Sequence, residues 1–88
     1  MKPYRLLVEW GVVVQLRELP PRSQRAIYAV FKRLEETPDF VSEFQTRDAK
    51  GHLLDAFICA DFAFHYWIDF GDRHVKVLAM EKADSRGS

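Results

Sequence analysis

Apolar and polar residues alternate from Tyr4 to Trp10. Tyr4, Leu6, Val8 and Trp10 fall on one side, Arg5, Leu7 and Glu9 on the other. A period of two marks a half-buried strand. Gly11 then interrupts, and Val12 to Leu19 reads two ways. Three valines favour a strand by propensity. The spacing of Val12, Val13, Leu16 and Leu19 suits a short amphipathic helix, and that is the reading adopted. Pro20-Pro21 ends this element. From Pro21 to Glu36 the period changes again. Ala26, Ile27, Val30, Phe31 and Leu34 form one apolar stripe, predicted to be buried against a sheet, while Arg25, Tyr28, Ala29, Lys32 and Glu36 point the other way. Pro21 suits the first helical position, where no N–H is needed, with Ser23 as a rival cap. Thr37-Pro38 stops the helix, because the residue before a proline is pushed out of helical geometry.

Asp39 to Gly51 has no clean period. Phe40, Val41 and Phe44 are expected to tuck against the core from a loop or short strand. Lys50-Gly51 marks a turn. Leu53 to Cys59 and Phe62 to Asp69 read as strands, Asp69-Phe70-Gly71-Asp72 as a hairpin turn, and His74 to Glu81 as the last strand. The predicted class is α+β: an N-terminal strand, two helices, then a three-stranded antiparallel run, with the helices packed on one face of the sheet. A single domain over residues 1–82 and a polar tail over 83–88 are expected.

Composition narrows the function classes. At 88 residues with 48% hydrophobic and 14% aromatic content, the chain can pack a core of its own. Thirteen basic residues balance thirteen acidic ones. A protein built to grip phosphates normally carries a basic excess, so nucleic acid or a ribosome is disfavoured as a partner by the neutral charge. One cysteine, Cys59, excludes an internal disulfide and a Cys-rich zinc site, and it reads as a packed core thiol. His52, His65 and His74 have no spacing that gathers them with a carboxylate, so no metal and no cofactor is expected. Neither a secretory run after Met1 nor a membrane-length apolar stretch occurs, which predicts a soluble cytoplasmic protein without membrane contact. Asp69-Phe70-Gly71 spells a kinase tripeptide, but a hairpin turn explains it in a chain this short. The Arg25, Tyr28 and Lys32 face could hold an anion, but such a face is more often merely solvated, and Glu36, four residues on, partly neutralises Lys32.

The order and spacing of these pieces resemble the RelE/ParE toxin superfamily over roughly residues 4 to 82. The features that carry the resemblance are the strand Tyr4–Trp10, the Leu19-Pro20-Pro21 break, the helix closed by Glu36-Thr37-Pro38, Lys50-Gly51 ahead of the sheet, the strand Asp61 to Asp69, and the last strand Val75 to Met80. The resemblance implies the toxin of a bacterial type II toxin–antitoxin, or plasmid-stabilising, module that inhibits growth through a cellular target and is bound by a cognate antitoxin. RelE-like members cut mRNA on the ribosome, and ParE-like members act on DNA gyrase. The RelE chemistry needs cations near the scissile phosphate and groups that move protons. Family positions that carry arginine fall here on Ala56, Ile58 and Ala63, which speaks against RelE-type cleavage. His65 and Lys82 are the remaining catalytic candidates, each with an ordinary structural reading beside it. A ribosome-dependent mRNA endonuclease and a diverged, non-catalytic binding domain stay open as alternatives.

Alternation also predicts an interface. If Phe62, Phe64, Tyr66 and Ile68 face the helices, then Ala63, His65 and Trp67 face away. By the family alignment Leu54, Ala56 and Ile58 join them, with Leu78 and Met80 if the last strand keeps its expected register. Ile58, Ala63, Trp67, Leu78 and Met80 are therefore the predicted partner-binding residues. A monomer seldom exposes such an apolar face. An antitoxin segment in the cell, or a homodimer for the chain alone, is the expected cover.

Overall fold

The computed structural model describes residues 3–83. The elements run β1 (Arg5–Val8), α1 (Trp10–Arg17), α2 (Pro21–Glu36), α3 (Pro38–Val41), β2 (Phe44–Arg47), β3 (Leu53–Cys59), β4 (Phe62–Asp69) and β5 (His74–Lys82). One five-stranded sheet has the order β1-β5-β4-β3-β2. β1 lies parallel to β5, and the other pairs are antiparallel. The chain thus leaves one edge strand, winds through the helices, and returns through a meander to pair beside its own start. The α+β class holds, and the sheet is wider than the three-stranded run by one strand at each edge.

α2 matches its predicted span, with Pro21 at the first helical position and no side-chain cap. Ile27, Phe31 and Leu34 are buried. Ala26 is exposed and Val30 half-buried, so the stripe is narrower than expected. The reason is geometric: three positions at i, i+4 and i+7 already span the contact with the sheet, and Ala26 lies at the margin of that arc. α1 begins at Trp10, two residues before the expected start. β1 stops at Val8, so Trp10 leaves the strand face assigned to it and stands 62% exposed on the helix. Gly11 sits inside α1 instead of breaking the chain. The stripe Val12, Val13, Leu16 and Leu19 is nevertheless the inner face, with Val12 and Leu16 buried.

The segment without a period folds as one turn of helix followed by a short edge strand. Val41 is buried, as expected, but Phe40 is 80% exposed and Phe44 lies at the open edge. Val41 fills the space beneath α3, and Phe40, one residue earlier on a single helical turn, must point elsewhere. Under the helices the core is largely aromatic. Phe57 stacks on Phe64 at 5.0 Å, and Phe31 meets Phe64 edge-on at 5.7 Å. Tyr66 is fully buried, and its hydroxyl donates to the Pro38 carbonyl at 2.7 Å, tying β4 to α3. Of the expected tail 83–88, the Ala83 N–H donates to the Asp61 carbonyl at 2.9 Å, and 84–88 lie outside the described residues.

β4 and β5 do not keep one register. Phe64 pairs with Met80 and His65 with Ala79, but Tyr66 pairs with Val77, so Leu78 is an extra residue opposite the His65/Tyr66 step. This β-bulge inverts the alternation along β5. Val75 and Val77 face the helices, Leu78 faces away, and Met80 faces the helices again. The predicted placement of Met80 on the far face is therefore wrong: it is buried in the core beside Phe64.

Candidate functional site: the outer face of the sheet

The face turned from the helices is assembled by register. Phe44 stands beside Ala56, and Thr46 beside Leu54, across β2 and β3. Ala56 meets His65 and Ile58 meets Ala63 across β3 and β4. Glu81 meets Ala63, and Lys76 meets Trp67, across β4 and β5. Four of the five predicted interface residues, Ile58, Ala63, Trp67 and Leu78, lie on this face; Met80 does not.

At its centre is a chain of side-chain hydrogen bonds that the sequence reading missed. His65 Nδ1 is 3.1 Å from Thr46 Oγ1, and His65 Nε2 is 3.0 Å from Glu81 Oε2. A carboxylate can only accept, so Nε2 carries the proton that it donates to Glu81. With the imidazole neutral, the Thr46 hydroxyl then donates to Nδ1. Both ring nitrogens are occupied within the protein, so proton transfer to a ligand would require one of these bonds to break. The imidazole is mostly covered, at 13% side-chain exposure. This brace spans β2, β4 and β5, and it crosses above Ala56, which has no exposed surface. A methyl fits under the brace; a longer side chain would displace it.

Lys82 is not part of this arrangement. It pairs with Phe62, one step out of phase with Glu81, and its Nζ stands 5.8 Å from the centre of the Phe62 ring on the helix side. The structure does not bring the two catalytic candidates together. Ala56, Ile58 and Ala63 do gather around the brace, and they supply no charge.

The apolar strip is narrower than expected, because β2 was not counted among the strands that could cover it. Leu54, Ala56 and Ala63 are already buried within the chain. Trp67 and Ile58 remain open, at 47% and 49% exposure. Two shallow clefts flank the brace. One, of about 260 Å³, is lined by Asp48, His52, Leu54, Trp67 and Leu78. The other, of about 430 Å³, is lined by Phe44, Ile58, Asp61, Ala63, Glu81, Lys82 and Ala83. Asp48 is fixed by its turn. The His52 and Lys50 backbone N–H groups donate to Oδ1 at 2.8 and 2.9 Å, and the His52 ring lies 3.2 Å from Oδ2. These bonds, the His52 backbone N–H first, hold its carboxyl below the ordinary aspartate value.

The remaining candidates have structural places. Cys59 is partly buried against the core, and burial, with the Glu43 charge, pushes its thiol up. His74 opens β5. Arg25, Tyr28 and Lys32 line the exposed side of α2. Among the described residues, no group of three or more His, Cys, Asp or Glu side chains could hold a metal ion, and no helix is long and apolar enough to cross a membrane.

No protein-family model matches the sequence, and no curated protein does. Solved structures do match. A chain of the archaeal RelE-RelB complex from Pyrococcus horikoshii superposes with a TM-score of 0.77 at 20% identity, covering 92% of this chain and 96% of that one. A chain of the toxin-antitoxin complex RelBE2 from Mycobacterium tuberculosis gives 0.75 at 21% identity, covering 91% and 98%. The fold is that of the RelE toxins, end to end over the described chain. The likeness is one of architecture, since about four residues in five differ.

Proposed function

We propose that this chain is the toxin of a bacterial toxin–antitoxin pair, that it inhibits growth through protein contacts and not by cutting RNA, and that a cognate antitoxin neutralises it. The observation that carries the reading is the match of the whole fold, over nine-tenths of both partners, to chains from two complexes of this kind. The outer face favours protein contact over RNA cleavage. Where phosphoryl-transfer chemistry would need cations, this chain has Ala56, Ile58 and Ala63 around a closed Thr46–His65–Glu81 brace. Exposed Trp67 and Ile58 are the kind of side chains that anchor protein interfaces.

Inducible expression in a bacterial host tests the proposal. Expression of the chain alone should arrest growth, and co-expression of the adjacent open reading frame should restore it and yield a co-purifying complex. Normal growth at a confirmed level of folded protein would leave the non-catalytic binding domain as the better reading.

A further inference from the structure

The sheet ends in two edge strands, and they differ. At β2 the flanking side chains are bonded within the chain: Glu43 accepts the Ile58 N–H at 3.0 Å, Gln45 donates to Asp55 at 3.3 Å, and Arg47 donates to the Gly51 carbonyl at 2.7 Å. At β1 the backbone groups alternate in direction. The Arg5 and Glu9 N–H groups turn inward and donate to the Arg73 and Val77 carbonyls at 2.8 and 2.9 Å. The N–H and C=O groups of Leu6 and Val8 therefore turn outward, and among the described residues nothing pairs them. This open stretch is bounded at both ends. The Glu35 carbonyl takes the Tyr4 N–H at 2.7 Å, and α1 starts at Trp10. What remains is Arg5 to Glu9, with neither a proline nor a bulge to blunt the edge.

The segment Arg5-Leu6-Leu7-Val8-Glu9 is its own complement. We infer that β1 pairs with β1 of a second copy of this chain, antiparallel about Leu7, so that two sheets join edge to edge as one. That register sets Leu6 against Val8 of the second copy, and the two-fold axis repeats the pair, giving four backbone hydrogen bonds. Leu7, 40% exposed, meets its own copy at the axis, with Cα atoms about 4.5 Å apart. Arg5 meets Glu9 of the second copy, and this pair also occurs twice. Both side chains are exposed, and among the described residues neither has a charged or hydrogen-bonded partner of its own. Opposite charges placed directly across a ladder attract. A slip of two residues in either direction keeps the faces but loses both ion pairs. An unrelated strand could bond Leu6 and Val8 equally well; the charges placed symmetrically about Leu7 are what select a copy.

The neighbouring charges are compatible with this pairing. Lys76 stands beside Leu7 on β5. Its counterpart in the second copy lies three strand spacings away, about 14 Å, beyond the screening length of about 10 Å at 0.1 M salt. Trp10, 62% exposed, comes opposite Tyr4 of the second copy, at an open cleft of about 810 Å³ that Tyr4, Leu6 and Glu35 help to line. Arg17 stands over the Trp10 ring at 5.2 Å, and the charges of that cleft are mixed, Glu35 and Asp72 beside Arg5, Arg73 and His74. The contact is the same patch on both copies, so it closes at a dimer. With one short strand from each side, the affinity expected is on the order of micromolar. The inference does not depend on the toxin reading.

Sedimentation of the purified chain across a concentration series tests it, with circular dichroism to confirm that each variant folds. The parent should pass from monomer to dimer. Glu9→Arg sets Arg5 against arginine, and Arg5→Glu sets glutamate against Glu9; each should weaken the dimer at least about tenfold. The two variants mixed should form a heterodimer, and the double variant carrying both changes should dimerise like the parent. Cysteine cross-linking reads the register in a Cys59→Ser background. Leu7→Cys should link two copies on oxidation, because a disulfide spans Cα atoms about 4.4–6.8 Å apart. Arg5→Cys should not, because its two copies lie four residues apart along the paired strands, about 13 Å. A parent that stays monomeric at millimolar concentration overturns the inference. So does a dimer that Glu9→Arg leaves unchanged, a double variant that is not rescued, or a dimer that Trp67→Glu abolishes, which would place the contact on the outer face.

Discussion

Tyr66 is the largest side chain with no exposed surface, and it carries a hydroxyl into the core. A phenol there is tolerated because the Pro38 carbonyl accepts its hydrogen bond at 2.7 Å. Tyr66→Phe removes that hydrogen bond, while the Pro38 carbonyl keeps its place in α3, so it should cost about 0.5–1.5 kcal/mol in urea unfolding. The same residue sets an alkaline limit. Burial, and then the Asp55 carboxylate, raise the Tyr66 phenol well above its ordinary value of 10.0. The folded state therefore holds its proton after the unfolded chain has released it. Stability from this group is fully present below pH 10 and is lost as pH rises above that value toward the folded-state value. Tyr66→Phe should be less stable than the parent at neutral pH yet show a shallower loss in alkali. An unchanged alkaline slope would show that Tyr66 is not the group responsible. The alternation of β4 made Tyr66 legible as a core residue, but not its partner. Pro38 lies 28 positions away, and only the fold brings them together.

Elements were legible where the periodicity was long, and illegible where contacts from other elements decided. The sixteen-residue α2 shows its span in its own sequence, because a stripe repeated over four turns leaves one solution. Phe31→Ala should cost about 3–5 kcal/mol, since the ring packs on Phe64 and no neighbour can fill its space. The four-residue β2 has too few positions to show a period, although Phe44 and Thr46 alternate with Gln45 and Arg47. That faint signal was the one route to Thr46 as the partner of His65. The β-bulge at Leu78 leaves no mark that alternation could reveal, and it sent Met80 to the wrong face. The end of α1 is also settled from a distance. Gln24, on α2, donates through Nε2 to the Leu16 and Leu19 carbonyls at 2.9 and 3.0 Å, adding a bond from α2 to a helix end whose Leu16 carbonyl also accepts the Leu19 N–H at 3.1 Å. Gln24→Ala should loosen α1 selectively. Hydrogen exchange should speed up for the amides of 14–19 while the amides of β4 keep their protection.

For the whole molecule, the question is whether a shared fold carries a shared reaction. Architecture is retained over 92% of the chain against the archaeal complex. Chemistry is set by individual side chains, and a fold alone does not supply it. A ribonucleolytic site must stabilise charge on a phosphate with preorganised cations, and losing one such contact costs about 2.7–4 kcal/mol at the transition state. Here several positions are neutral at once, Lys82 pairs with Phe62 one step out of phase with Glu81, and both His65 nitrogens are bound to Thr46 and Glu81. Purified protein added to a translating extract should therefore leave mRNA intact by primer extension, at concentrations where it binds the product of the adjacent open reading frame. Restoring a cation at one position is not expected to restore cleavage. Ala56→Arg would place a guanidinium beneath the Thr46–His65 bond, where there is room for a methyl, and should lower the melting temperature before it creates activity. Codon-linked cleavage by the parent, abolished by His65→Ala, would show that the brace opens on the ribosome and that the geometry of the free chain is a resting state.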